Sequence, residues 1–330
     1  MARPSYIPDN FTLSLIAAVT LASLLPASGA TARVFEIVTT AAVSLLFFMH
    51  GAKLSREALL EGLTHWRLHV LVLGCTFVIF PVMGFALRPV LGPLVTPELY
   101  TGILYLCVLP STVQSSIALV SMARGNVPAA ICSASASTLI GVVLTPLLVN
   151  LIVQPGGNAV SSFDSIGRIL VQLMLPFLLG HMLRPWIGAW MKRHSSVLKY
   201  VDQGSILLVV YTAFSAAVIN GLWKQVSGAD LAGVILICAI LLGFILVSST
   251  WLARKLGFDI PDVITVVFCG SQKSLASGVP MAKILFDVHA VGAIVLPLML
   301  FHQLQLMVCA LLARRHAIRP ADTELSSMKD

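Results

Sequence analysis

Apolar positions in this chain come in long unbroken runs, not in alternation with polar ones. Ten such runs lie at residues 11–27, 34–50, 68–88, 99–123, 127–152, 167–187, 203–223, 230–251, 262–286 and 289–312. Each is close to the roughly 20 residues that a helix needs to cross a bilayer. A β-barrel would show short segments of period two, which this pattern lacks. The prediction is an all-α polytopic membrane protein with ten transmembrane helices. Between the second and third runs, Leu54 to His69 alternates charged and apolar residues. That stretch reads equally as a short amphipathic helix on the membrane surface or as a polar loop. The chain after Arg314 is polar and reads as a tail.

Two runs are interrupted by polar residues near their centres. The fourth carries Pro110-Ser111-Thr112-Val113-Gln114-Ser115-Ser116, and the ninth carries Gly270-Ser271-Gln272-Lys273-Ser274. Ten runs divide into five and five, and an odd number per half turns the second half upside down relative to the first. The expectation is therefore a 5+5 inverted repeat in a single membrane domain, with residues 1–155 and 156–314 as the halves and 315–330 as a polar cytoplasmic tail. The interrupted runs are then equivalent members of the two halves. Broken helices at matching positions are the strongest sequence pointer to a transport site. Irregular backbone at membrane depth is tolerated only inside protein or around a water-filled cavity.

Composition agrees with the pattern. The chain is 58% hydrophobic and 11% charged, against about 25% charged in soluble domains. The net charge of +7 does not imply nucleic acid, because the basic residues sort by side. With the N-terminus inside, fifteen fall inside: Arg3, Lys53, Arg56, Arg67, Arg124, Arg184, Lys192, Arg193, Lys199, Arg254, Lys255, Arg314, Arg315, Arg319 and Lys329. Five fall outside: Arg33, Arg88, Arg168, Lys224 and Lys283. This bias predicts both termini in the cytoplasm. Arg3 ahead of the first run would also suit a signal peptide, but a first span is the better reading beside nine more. The six cysteines all lie in apolar runs without metal-ligand spacing and read as small buried hydrophobes.

The remaining basic residue, Lys273, sits mid-run with no carboxylate at its depth. A central charge costs about 2.5–3.5 kcal/mol on insertion scales. Lys273 should therefore face a hydrated cavity, helix C-terminal carbonyls or an anionic substrate. Ser271, Gln272 and Ser274 surround it with oxygen ligands for a hard cation and donors for a carboxylate. Gln114, Ser115 and Ser116 offer the same chemistry. Ser133, Ser135, Ser137 and Thr138 could line the cavity, although close helix packing by small residues explains them better. Thr76, five residues before Pro81, reads as a core threonine unless a family pattern says otherwise. His181 and His302 read as hydrogen-bonded bundle residues before proton relays. A Ser271–Lys273 catalytic pair lacks any oxyanion arrangement, so an enzyme is not expected.

The chain resembles the bile acid:sodium symporter family, in a bacterial SBF-like branch similar to the seventh member of the vertebrate solute-carrier group of that name. The resemblance covers all ten runs. It is carried by Pro110 to Ser116, Ala123-Arg124-Gly125-Asn126, Ala136-Ser137-Thr138 before Pro146, and Gly270 to Ser274, which stands where the family has Gly-x-Gln-Asn-Ser. It implies a panel of helices one, two, six and seven, and a core of the rest in which helices four and nine cross at their breaks. It also implies sodium-coupled uptake of an organic anion across a bacterial inner membrane, with no cofactor beyond the coupling ion. Bile acids as such are only the family's name for the substrate.

The departures are specific. The resemblance places a sodium-binding glutamate at Phe268, an asparagine at Lys273, a glutamine at Thr76, an asparagine at Ser116, and a serine and threonine at Ala130 and Ala134. Ser115 and Gln272 survive as possible sodium ligands. The expectation is that the Lys273 ammonium occupies the space of a sodium ion, so that protons could replace sodium as the coupling ion. The competing reading is a membrane regulatory protein, for example of calcium handling, that carries no bulk flux.

Overall fold

The computed structural model describes residues 10–53, 65–153 and 163–318. These contain helices and no strand. In chain order the helices are α1 (Asn10–Leu24), α2 (Gly29–Lys53), α3 (Trp66–Ala86), α4 (Pro97–Cys107), α5 (Gln114–Met122), α6 (Val127–Val153), α7 (Phe163–Arg193), α8 (Ser195–Ile219), α9 (Gly228–Lys255), α10 (Ile260–Ser271), α11 (Leu275–Leu285) and α12 (Val288–Ala317). Six of them, α2, α3, α6, α8, α9 and α12, are long and apolar enough to cross a membrane. Their outer faces carry exposed Val247, Leu151 and Trp251. Apolar surface of this kind belongs against lipid. The protein is an integral membrane protein. Most of the stretch read as an amphipathic helix or loop (54–64) and most of the tail (319–330) lie outside the described residues.

Local chemistry sets the helix ends. Side chains of Thr96, Asn126, Ser227, Asp259, Ser274 and Asp287 each accept a bond from the first turn of the helix that follows. Such caps satisfy amides that have no partner within the helix. Inside α3 the turn Cys75–Ile79 widens, and Phe80 N–H bonds to Cys75 O. Pro81 explains the consequence. It has no N–H to give to the carbonyl five residues back, which is Thr76.

The α1–α8 and α2–α7 pairs lie beside one another, joined by contacts of α2 with α8. α2 and α7 meet at glycines: a Cβ added at Gly51 would sit 1.9 Å from Phe177 O, and one at Gly180 would sit 1.9 Å from Phe48 O. The two backbones therefore touch, as small residues permit in membranes. Lys53 on α2 is bonded to Asp202 on α8. A second group packs α3, α6 and α9 to α12 around α4 and α5.

The interruption of the ninth run lies at Gln272–Ser274 and not at Gly270. α10 continues through Gly270 to Ser271, while Gln272 and Ser274 have extended backbones (ψ 143° and 108°). Gly270 serves packing instead, because a Cβ there would come within 2.9 Å of Cys75 Cβ. Glycine is needed at that position for approach, not for a turn.

Gly180→Ala should therefore separate α2 from α7 and lower Tm by several degrees, since overpacking costs about 1–3 kcal/mol or more against backbone. Gly204→Ala on α8, where a Cβ meets nothing within 4 Å, should leave Tm unchanged or slightly raised. Thermal unfolding of both variants in detergent distinguishes them.

Candidate functional site at the helix breaks

Lys273 is completely buried. Its ammonium donates three hydrogen bonds of 2.8 Å each, to the backbone oxygens of Thr76, Cys107 and Leu109. The Phe80 ring lies on another side, with its centroid 4.2 Å from Nζ. Every N–H of the ammonium is used, and an aromatic face takes part of the remaining surface. Hydrogen bonds to charged groups contribute about 1.5–3 kcal/mol each, so three of them exceed the insertion cost of about 2.5–3.5 kcal/mol. The site thus tolerates a charged lysine without a carboxylate. Three carbonyl oxygens and a ring face are also a cation's coordination shell.

Those oxygens are free because their helices are broken. Thr76 O is released by the widened turn ahead of Pro81. At the end of α4, Pro110 supplies no N–H to Leu106, and the chain leaves the helix. The four carbonyls that follow each find a distant partner. Cys107 O and Leu109 O take Lys273, Val108 O accepts from Thr145 Oγ1 at 2.9 Å, and Pro110 O accepts from Ser274 N at 2.9 Å. The other break is held likewise. Gln305 on α12 accepts from Lys273 N at 2.8 Å and donates back to Lys273 O at 3.0 Å. Its second N–H reaches His302 Nδ1 at 2.9 Å. Ser111 Oγ donates to Cys269 O at 2.6 Å, so the two breaks are bonded directly to each other.

The residues singled out from sequence do not all come together. Ser115, Ser116, Ser137, Gln272, Lys273 and Ser274 gather at the crossing. Ser137 Oγ accepts from Ser111 N at 3.0 Å, Ser116 Oγ lies 3.1 Å from Thr112 Oγ1, and Ser115 bonds to Thr112 and donates to Gln272 Oε1 at 3.3 Å. Ser274 acts as the cap of α11. Ser271 Oγ and Gln272 Nε2 are buried, and both side chains face the Cys309 thiol. Thr76 contributes its carbonyl, while its hydroxyl returns to Val72 O at 2.8 Å. Ser133 stands apart, 2.6 Å from His69 Nδ1. Of the other two hydroxyls considered, Thr138 bonds back to its own helix at Ala134 O.

Gln114 is exposed and faces elsewhere. It lines a cavity of about 680 Å³ whose wall includes Lys53, Arg184, Lys192 and Lys199. From sequence these four cations served only to orient the chain. Sequence reasoning also missed Gln305 and Phe80. An amide in the middle of the last apolar run was a usable signal for Gln305; nothing in the pattern marks one phenylalanine among fifteen.

A family model described as the SBF-like CPA transporter family matches residues 9–317. An uncharacterized protein of Pseudomonas aeruginosa is 63% identical over 322 residues, covering 98% of this chain and 97% of that one. YfeH of Escherichia coli, named as a candidate symporter, is 55% identical over 310 residues, covering 94% and 93%. The rat sodium/bile acid cotransporter 7 is 28% identical over 309 residues, covering 92% and 90%.

Gln305→Leu leaves an N–H and a carbonyl of Lys273 unpaired in the interior, at about 1–3 kcal/mol each. Tm should fall clearly, and Gln305→Glu, which keeps only the acceptor, should fall between the two. A Gln305→Leu protein as stable as wild type would remove the clamp from the account.

Proposed function

This chain belongs to the SBF-like CPA transporter family, and we propose that it is a secondary active transporter that moves an organic anion by alternating access, with Lys273 standing where a sodium ion would bind. It is a transporter-family protein and not an enzyme. The observation that carries the proposal is the ammonium held by three backbone oxygens between two broken helices. Lysine satisfies the same carbonyls that a bound cation would, and it cannot leave. Sodium coupling then depends on the oxygens of Ser115 and Gln272 alone; otherwise a proton released and regained at the site supplies the coupling. The names of the relatives, a symporter and a sodium/bile acid cotransporter, support an ion-coupled cycle.

Helix pairing supports the finer architecture. In a ten-span 5+5 inverted repeat, with halves 1–155 and 156–314 and the tail 315–330, spans one and seven are equivalent to six and two. These are the α1–α8 and α7–α2 pairs. They form the panel, and α3 to α6 with α9 to α12 form the core. α4–α5 and α10–α11 are the crossing spans four and nine. Both termini lie in the cytoplasm of a bacterium, and the membrane is the inner one. The basic cavity then opens inward. On the opposite side core and panel are in contact: Lys283 Nζ donates to Glu36 O at 3.2 Å, Asn220 bonds to His289, and a Cβ at Gly292 would meet Ala217 Cβ at 2.5 Å. This is an inward-facing state.

The test is thermal stability in sodium against choline for wild type and Lys273→Ala. A ligand that binds only the folded state stabilises by RT ln(1 + [L]/Kd), about 1.4 kcal/mol at tenfold Kd. Wild type should show no sodium-specific shift, and Lys273→Ala should acquire one. Sodium-specific stabilisation of wild type would move the coupling to a sodium site at Ser115 and Gln272, and a Lys273→Ala variant that gains no sodium shift would overturn the stand-in. Saturable anion flux in liposomes tests transport itself, and its absence for every anion offered would favour the regulatory reading.

A further inference from the structure

The end of α8 is tied to the start of α12 by a bond that depends on a proton. Asn220, which follows α8, donates through its amide nitrogen to Ala216 O at 2.8 Å, and the same nitrogen is bonded to His289 Nδ1. A carbonyl oxygen can only accept, so Ala216 O fixes the amide with its NH2 group on this side. The second N–H of that group then points at His289. Nδ1 has to accept it, which requires a neutral ring with its proton on Nε2. Both residues are exposed, so protons of the solvent reach the ring.

The neighbours of this bond make its loss matter. One turn further in, α8 and α12 touch: a Cβ added at Gly292 would sit 2.5 Å from Ala217 Cβ and 3.2 Å from Ala213 O. Beside them Lys283 on α11 donates to Glu36 O at 3.2 Å and Thr40 Oγ1 at 3.4 Å on α2. Those bonds are long for a charged donor. The charged residues at this end of the elements packed on α12 are Glu98 in the first turn of α4, Asp230 in the first turn of α9, Lys283, and Lys224 just beyond α8. Asp230 is engaged by Ser227. Asp287, the cap of α12, accepts from His289 N at 2.9 Å. Histidine is the side-chain type that changes charge between about pH 5 and 8. A proton on Nδ1 sets N–H against N–H. It also adds positive charge to the first turn of a helix, where it is disfavoured, and it makes the Asp287 carboxylate a better partner than the Asn220 amide.

We infer that His289 is a proton-binding site that works as a switch: neutral, it clasps α8 to α12, and protonated, it releases Asn220 and lets the two helices part. Calling this the outer gate of a transport cycle rests on the transporter reading above; the switch itself does not.

The experiment uses the full-length protein in phosphatidylcholine nanodiscs, where a maleimide reaches both faces. The six native cysteines are buried, and their labelling in the unmodified chain is the background. The reporter is Ala213→Cys, at the α8–α12 contact and 5% exposed. Ile219→Cys, on the exposed end of the same helix, corrects each buffer for thiolate formation. Lowering the pH from about 7.5 to about 5.5 should speed corrected labelling about threefold or more with His289 present and leave it unchanged in His289→Gln, which keeps an acceptor and takes no proton. Asn220→Ala should label fast at both pH values. Labelling of the parent reporter that ignores pH overturns the switch. So does acid-sensitive labelling that survives His289→Gln, which would place the proton elsewhere, and so does an Asn220→Ala reporter no faster than its parent at the higher pH. Should Ala213→Cys fail to fold, amide hydrogen exchange over residues 213–220 and 289–293 is compared between wild type and His289→Gln in one buffer, where intrinsic rates cancel. Faster exchange of wild type in acid alone supports the switch, and equal exchange overturns it. Flux is read separately in liposomes. Acid-released labelling without flux of any anion offered keeps this inference and ends the transporter reading; flux with acid-insensitive labelling does the reverse.

Discussion

The bond set of Lys273 is the constraint on which the interior depends. A broken helix in a membrane leaves carbonyl oxygens with no water to accept from. Here the breaks release Thr76 O, Cys107 O and Leu109 O at one point, and a single ammonium donates to all three. The charge and the breaks justify each other. Without the lysine the oxygens would be orphaned, and without the oxygens the lysine would be a bare charge in hydrocarbon. Gln305 then fixes the backbone from which the lysine projects, so cage and cargo cannot shift independently.

A tethered cation differs from a bound ion in one mechanical respect. An ion that binds and leaves makes the assembly of the two crossing helices depend on its concentration. A lysine is held there by the chain, so the assembly depends on its charge and not on the concentration of an ion. A proton released from it would leave two N–H groups for the three oxygens. Helices α2 and α7 touch backbone to backbone at Gly51 and Gly180, which leaves them little freedom to move against each other and suits them to act together.

The sequence made Lys273 and both interruptions visible, because a charge or a polar knot stands out in a run of apolar residues. It misplaced the second interruption, since Gly270 looks like a breaker and is a packing residue, while Gln272 and Ser274 carry the extended backbone. It named Thr76 for its side chain, but the group that matters is the carbonyl. Backbone oxygens have no letter in a sequence, and their release is written only indirectly, in a proline five residues on. The partners of the lysine were illegible for that reason. Lys192 and Lys199 were visible but already explained by topology, and an explained residue prompts no second question until the fold shows where it converges.

The cage and the basic cavity are separate places, and α5 joins them. Gln114 lines the cavity. Ser115, next in the chain, donates to Gln272, whose neighbour is Lys273. Adjacent sites become coupled only if a ligand at one has different contacts in two states of the other. The first turn of α5 is short, its amides are helix-terminal, and its hydroxyls can exchange partners among Thr112, Ser116 and Gln272 at little cost. The Ser115–Gln272 bond is 3.3 Å long, against 2.8 Å for each bond of the cage, so the link through α5 is the weaker of the two.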